Sequence, residues 1–245
     1  MRGNPVFQLL KPTLNSKSIM KIFLDGADCE VLQHYRSLGL IQGVTTNPEI
    51  FGMCAVSKNP LDLLKKIISV MDDNFVFVQV AGKDVDIQVE EAKRLSALGP
   101  KIVIKVIMDK LGLRSIPKMV GAGVQVSATA VNTIGRAILA GECGAHYMIP
   151  YYGYLKDAVE EESHFIEDVA AIYAAQKYAT KMHIYCRRVD DFTRAAKAGA
   201  WGVLLQPQDL ERFFHHAQTD IAVNGHRAAW EKQYGQTSWL DYIKK

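Results

Sequence analysis

No stretch of this sequence is apolar for long enough to span a bilayer, and no Arg- or Lys-rich run is interleaved with aromatics. The first absence argues against a transmembrane helix and the second against a nucleic-acid footprint. Charge gives no such footprint either: 29 Lys and Arg face 26 Asp and Glu, a net charge of +3, with both signs spread along the chain. Cysteine is sparse. Cys29, Cys54, Cys143 and Cys186 stand far apart, with no C-x-x-C pair and no Cys/His set at zinc spacing. Free thiols in a reducing compartment follow, and a cytoplasmic location is expected. No G-x-G-x-x-G follows the first apolar run, so dinucleotide binding lacks its usual mark. Residues 1–19 lack the apolar core and cleavage site of a signal peptide, and "MKIFLD" at 20–25 reads as a natural start. Residues 1–19 are therefore expected to be an extension outside the fold.

What the chain does contain is alternation. It is 49% hydrophobic and 22% charged over 245 residues, enough to bury one large core. From residue 20 onward, short β-branched runs are followed by longer stretches of helical period. The strand candidates are 21–25, 41–46, 75–80, 101–106, 123–127, 145–150, 182–186 and 202–206. Helices are expected at about 28–38, 60–72, 84–97, 111–120, 131–141, 157–178, 190–198 and 208–216. Asp28 and the Asn59-Pro60 pair are cap signals, and Gly39, Gly99, Gly121, Gly144 and Gly199 are stop signals. Strands apolar on nearly every residue suit a parallel sheet buried on both faces. Eight such units in about 200 residues predict an α/β fold, a single (β/α)8 TIM barrel over 20–219. An open doubly wound sheet is the alternative. Residues 220–245 form one more helix and a tail bearing Trp239 and Tyr242. Those aromatics need a surface, on the same subunit or on a neighbouring one.

Barrels of this kind place chemistry where strands end. The polar residues there are Asp25, Thr45, Thr46, Asn47, Gln79, Lys105, Ser127, Thr129, Tyr151, Tyr152, Tyr185, Arg187 and Gln206. Lys105 is the unusual one, set among Ile102, Val103, Ile104, Val106 and Ile107. Side chains alternate along a strand, so Lys101, Val103 and Lys105 share a face. If Lys105 points inward, Lys101 lies at the opposite mouth. A dry site disfavours the ammonium, and freeing the amine at pH 7 requires a drop of roughly 3 units, ~4 kcal/mol. A neutral lysine there is a nucleophile for carbonyl carbon. Equally, Lys105 could ion-pair with Asp25 and fill space.

"IFLDGADCE", "GVTTNPEIF", "VFVQV" and "IVIKV" in this order resemble the transaldolase family, and its small fructose-6-phosphate aldolase branch above all. "GVTTNP" at 43–48 is the most specific match. "ATAVNTIGRAILAGECGAHYMIPYYG" and "WEKQYGQTS" are similar to later family segments. The resemblance implies a metal-free class I aldol mechanism, with no cofactor and with ketose and aldehyde substrates. It makes Lys105 the Schiff-base residue. Asp25 becomes a proton-transfer group that also helps hold donor hydroxyls with Asn47, and Gln79, Thr129 and Tyr151 surround the catalytic water. Thr45 and Thr46, just before Asn47, are candidate substrate-binding residues with it. Glutamine rather than glutamate at position 79, and a tyrosine at 151, follow the aldolase branch rather than true transaldolases. The family also implies a homo-oligomer, a pentamer or decamer, with the terminal helix reaching a neighbour.

The acceptor-phosphate end departs from the family pattern. Tyr154 stands where an arginine is expected, with Lys156 nearby, and Tyr185 stands in a serine position beside Arg187 and Arg188. Each charge-assisted phosphate contact contributes roughly 1.5–3 kcal/mol. A weakened or rearranged preference for phosphorylated acceptors is therefore expected, with Arg187, Arg188 and Lys156 retaining some positive charge. Transaldolase chemistry, and a silent barrel with a binding role, are the competing readings.

Overall fold

A computed structural model describes residues 20–55, 57–150 and 164–243. It divides into two units at Pro207. The first unit holds eight parallel strands closed into a barrel in sequence order. They are β1 Lys21–Asp25, β2 Gly43–Thr45, β3 Phe75–Gln79, β4 Ile102–Ile107, β5 Val126–Val131, β6 Tyr147–Pro150, β7 Lys181–Tyr185 and β8 Gly202–Leu205. The described helices of this unit are α1 Cys29–Ser37, α2 Pro48–Met53, α3 Pro60–Met71, α4 Val85–Ser96, α5 Lys110–Gly121, α6 Ile134–Glu142, α7 Phe165–Gln176 and α8 Val189–Lys197. The TIM-barrel expectation therefore holds.

The start of the helix expected at 157–178 lies outside the described residues. Two of the differences from the sequence expectation have a specific local cause. The fifth strand starts at Val126, three residues later than the apolar run suggested, and continues to Val131. The run from Val124 alternates like a strand, but Gly123, at φ +78, still belongs to the turn that ends α5. The second is α2, a short helix not expected. It begins at the Asn47-Pro48 pair, with Asn47 accepting a hydrogen bond from the Ile50 N–H at 2.9 Å. That cap repeats the Asn59-Pro60 start of α3, but six residues are too few to show a helical period. Elsewhere Asp28, Asp84, Asp109 and Thr133 cap their helices through first-turn N–H groups. Each such cap contributes about 1 kcal/mol.

The barrel interior is apolar and aromatic. Phe23, Phe77, Val103, Tyr147, Ile149, Tyr185 and Leu204 form one buried cluster. Phe23 sits there because β2 opens with glycine: a Cβ on Gly43 would lie 2.2 Å from the Phe23 ring. Outside the barrel, α3 buries Leu63, Leu64, Ile67 and Met71 on one stripe, each contributing roughly 1.5–3 kcal/mol.

The second unit contains the helix α10, Ala217–Tyr234, and a 3-10 turn at Trp239–Asp241. α9, Pro207–Glu211, begins at the last residue of the first unit and is shorter than the 208–216 span expected. The tail folds back on α10 through its own aromatics. Trp230 lies 4.8 Å from Tyr234 and 5.1 Å from Trp239, and its indole N–H donates to the Thr237 carbonyl at 2.8 Å. Much apolar surface stays exposed, with Trp239 at 67% and Leu240 at 83%. Among the described residues no helix is long and apolar enough to cross a membrane.

Candidate active site

Strand register assembles the site at the C-terminal mouth. Asp25 pairs with Thr45 across β1 and β2, while Gln79, Lys105 and Ser127 lie side by side across β3, β4 and β5. Register partners in a sheet face the same way. Val103 belongs to the interior cluster, so Lys105, two residues on, also points inward. Its side chain is 2% exposed, and its Nζ donates to the Thr46 carbonyl at 2.8 Å. Burial lowers the Lys105 pKa to about 8, against a smaller upward pull from the Asp25 carboxylate. Roughly a tenth of such an amine is uncharged at pH 7.

Asp25 is the counterpart. Burial pushes its carboxyl above the ordinary value, while the charge of Lys105 and the hydroxyl of Thr45 oppose that shift. The Thr45 Oγ1 donates to Asp25 Oδ1 at 2.9 Å, so this fully buried threonine orients the carboxylate. Thr46 is fully buried as well, and its hydroxyl donates to the Phe77 carbonyl at 2.8 Å. It therefore reaches the site through its own carbonyl. Asn47 uses its side-chain oxygen to cap α2, and that cap leaves the two N–H bonds of its amide unused.

On β5 the backbone is irregular beside the site. Thr129 pairs with Ile149 and Val131 with Pro150, leaving Ala130 as an extra residue at φ +56. A bulge of this kind bends a strand and re-aims the neighbouring side chain. The buried Thr129 Oγ1 has no hydrogen-bond partner among the described residues. The same is true of Ser127 Oγ and Asn132 Oδ1. Buried polar atoms are normally paired, so the orphaned Ser127 and Thr129 hydroxyls on the strand beside Lys105 mark where a polar ligand or water would sit. The sequence placed Ser127 at a strand end without a role and did not single out Asn132. Position in register with Lys105 was the one available signal for Ser127.

The remaining site candidates are dispersed. Tyr185 is 5% exposed within the interior cluster. Arg187 and Arg188 are exposed, and their backbone N–H groups donate to Asp191 Oδ2 at 3.2 and 3.1 Å. Tyr151, Tyr154 and Lys156 lie outside the described residues. Below Lys105, His183 is fully buried, its ring 4.2 Å from Phe23 and 5.2 Å from Phe77. Burial, with help from the Lys105 charge, lowers its pKa to about 3, so it is neutral in the working range. Beside the mouth, a mostly apolar groove of about 690 Å³ runs from Asn47 and Gln79 past Phe51, Leu61, Leu64 and Leu95.

Comparisons with known proteins agree with this geometry. Residues 22–219 match the model of the Transaldolase/Fructose-6-phosphate aldolase family. A probable transaldolase of Nitrosopumilus maritimus is 32% identical over 87% of this chain and 96% of its own length. A probable transaldolase of Dictyoglomus turgidum is 32% identical over 87% of this chain and 99% of its own. Among solved structures, a flavocytochrome b2 mutant superimposes with a TM-score of 0.56 at 14% identity, over 77% of this chain and 56% of its own. That likeness concerns the barrel fold alone. The family match, spanning all eight strands and the buried lysine, places this chain in the transaldolase/fructose-6-phosphate aldolase family.

Proposed function

We propose that the protein is a Schiff-base aldolase that cleaves or forms a ketose such as fructose 6-phosphate. The reading rests on one observation: a lysine amine 2% exposed inside the barrel mouth, with its pKa lowered to about 8. The uncharged Lys105 amine attacks the C2 carbonyl of the ketose and forms a carbinolamine. Loss of water gives the iminium. The C3–C4 bond then breaks, its electron pair flowing into the iminium to give an enamine. The C4 hydroxyl proton leaves through a water held by Gln79 and Thr129, and the aldehyde departs. Protonation of the enamine at C3 and hydrolysis release dihydroxyacetone and restore the amine. Asp25, oriented by Thr45, serves proton transfer, and with Asn47 it holds the donor hydroxyls. The departures at Tyr154 and Tyr185 favour acceptors whose phosphate is weakly bound or absent.

A transaldolase reading is favoured by the names of the relatives. It differs in one step: the enamine stays on Lys105 until a second aldose arrives, instead of being hydrolysed. Borohydride reduction in the presence of fructose 6-phosphate tests the common step. The expected product is a stable adduct on Lys105, and its absence would rule out both readings. Free dihydroxyacetone released without an acceptor supports the aldolase. Product formation only when an aldose phosphate is added supports the transaldolase. We propose in addition that the exposed apolar face of 217–243 packs against a second copy of this chain, which light scattering would register as a mass several times 27.3 kDa.

A further inference from the structure

The end of the barrel opposite the candidate active site is lined by lysines over an aromatic floor. Three rings form that floor, each at or just before the start of a strand. Trp201 lies 4.6 Å from Tyr147 and 5.5 Å from Phe75, with Phe23 above it at 5.2 Å. Three ammonium groups stand over these rings. Lys21 Nζ is 5.5 Å from the Trp201 centroid, and Lys101 Nζ is 4.6 Å from Phe75. Lys181 Nζ is 5.4 Å from Tyr147 and 5.8 Å from Trp201. Among the described residues, none of the three has a carboxylate partner. Residues 1–19 contain Arg2, Lys11 and Lys17 and no Asp or Glu.

A ring face compensates a cation only partly and leaves the ammonium N–H donors unspent. Three such cations around one end of the barrel raise the local concentration of anions. Their placement also selects among anions. Lys21 and Lys181 come from β1 and β7, which flank β8, and both approach Trp201. Lys101 enters with β4 on the far side of the ring of strands. The three ammonium groups thus come from strands on two sides of the ring, and an anion carrying several phosphoryl groups can offer one to each side.

We propose that this N-terminal mouth binds a linear di- or triphosphate, free or as the phosphate chain of a nucleotide. The site lies at the opposite end of the barrel from Lys105 and is independent of the aldol reading.

Trp201 reports on it directly. The chain has three tryptophans, so Trp230→Phe with Trp239→Phe leaves Trp201 as the sole indole emitter. In the full chain carrying those two changes, tripolyphosphate should give a saturable change in Trp201 emission that weakens steeply with added salt. Lys101→Gln with Lys181→Gln should raise the apparent Kd at least tenfold. Both lysines are exposed, so the fold should survive, as an unchanged melting curve would verify. ATP binding more tightly than tripolyphosphate, with deeper quenching, identifies a nucleotide, and the reverse order identifies a free phosphate chain. A response that matches potassium chloride at equal ionic strength, or that persists in the double-lysine variant, overturns the proposal.

Discussion

The Lys105 Nζ donates to the main-chain carbonyl of Thr46 at 2.8 Å, tying the middle of the fourth strand to the end of the second. A carbonyl accepts from an amine in either protonation state, so this bond aims the nitrogen without dictating its charge. The charge is set by burial, which disfavours the cation, and by Asp25, which favours it. The rate of borohydride-trapped adduct formation should therefore rise with pH and reach half its plateau near pH 8. Asp25→Asn removes the group that raises the Lys105 pKa, so its midpoint should fall below that of the parent. Trapping rates between pH 6 and 10 check both statements. A midpoint above 10 in the parent would mean a solvated lysine.

The same burial predicts a stability effect. The folded-state pKa of Lys105 is about 8 against an ordinary lysine value of 10.5. Between those values the unfolded chain binds the extra proton, so stability rises with pH through that window, and below pH 8 the full cost of the buried cation is present. That cost is ~3 kcal/mol at most. Lys105→Met should therefore stabilise the protein by about 1–3 kcal/mol at pH 7, at the lower end because Asp25 loses its partner. The gain should shrink above pH 8 and vanish near 10.5. Urea melts at pH 7 and pH 10 measure it, and a loss of stability at both would refute the assignment.

Thr45 sets the other half of the pair. Its hydroxyl lowers the Asp25 pKa by donating to Oδ1 at 2.9 Å. Thr45→Val keeps the volume and removes the donor, at a cost of about 1 kcal/mol in stability. With the opposing hydrogen bond gone, the Asp25 carboxyl should titrate at still higher pH. The acid limb of the turnover profile should move upward by a measurable fraction of a unit. Thr45→Ser restores the hydroxyl and should return the limb to its original place, which a purely steric role for Thr45 would not do.

Lys105 was legible in the sequence because a charge inside an apolar run conflicts with both simple patterns. Alternation put Lys105 on one face with Lys101 and Val103 but left open which way that face points, and the count of eight strand–helix units predicted the closed barrel. The Asp25–Thr45 pairing came only with the strand register. Other features depend on contacts that pattern does not encode. The fifth strand was displaced because Val124 and Val126 mimic a strand while Gly123 still completes a helix end. The short helix after Asn47 carries a cap but no period. That Tyr185 shares a face with His183 could be counted from alternation. That the face is sealed by Phe23 and Leu204 could not. The orphaned hydroxyls of Ser127 and Thr129 are defined by what fails to approach them, which is tertiary information.

The bulge beside Thr129 stores strain at one residue. Ala130 has φ +56, a left-handed conformation that costs an alanine roughly 1–2 kcal/mol through its Cβ. Glycine adopts it freely but loses about 0.4–1 kcal/mol more through the entropy of the unfolded chain. The first effect exceeds the second, so Ala130→Gly should stabilise the protein by about 0.5–1 kcal/mol. For a chain of this length that is a rise in Tm of roughly 1–4 °C. The strained position is retained beside the site because the extra residue offsets the pairing of Thr129 with Ile149 from that of Val131 with Pro150. Loosening it should widen the range of Thr129 orientations and lower kcat several-fold with little change in KM. Calorimetry together with steady-state kinetics on Ala130→Gly tests the pair of outcomes. A drop in Tm would show that the bulge is relaxed at Ala130 and that its geometry is set elsewhere.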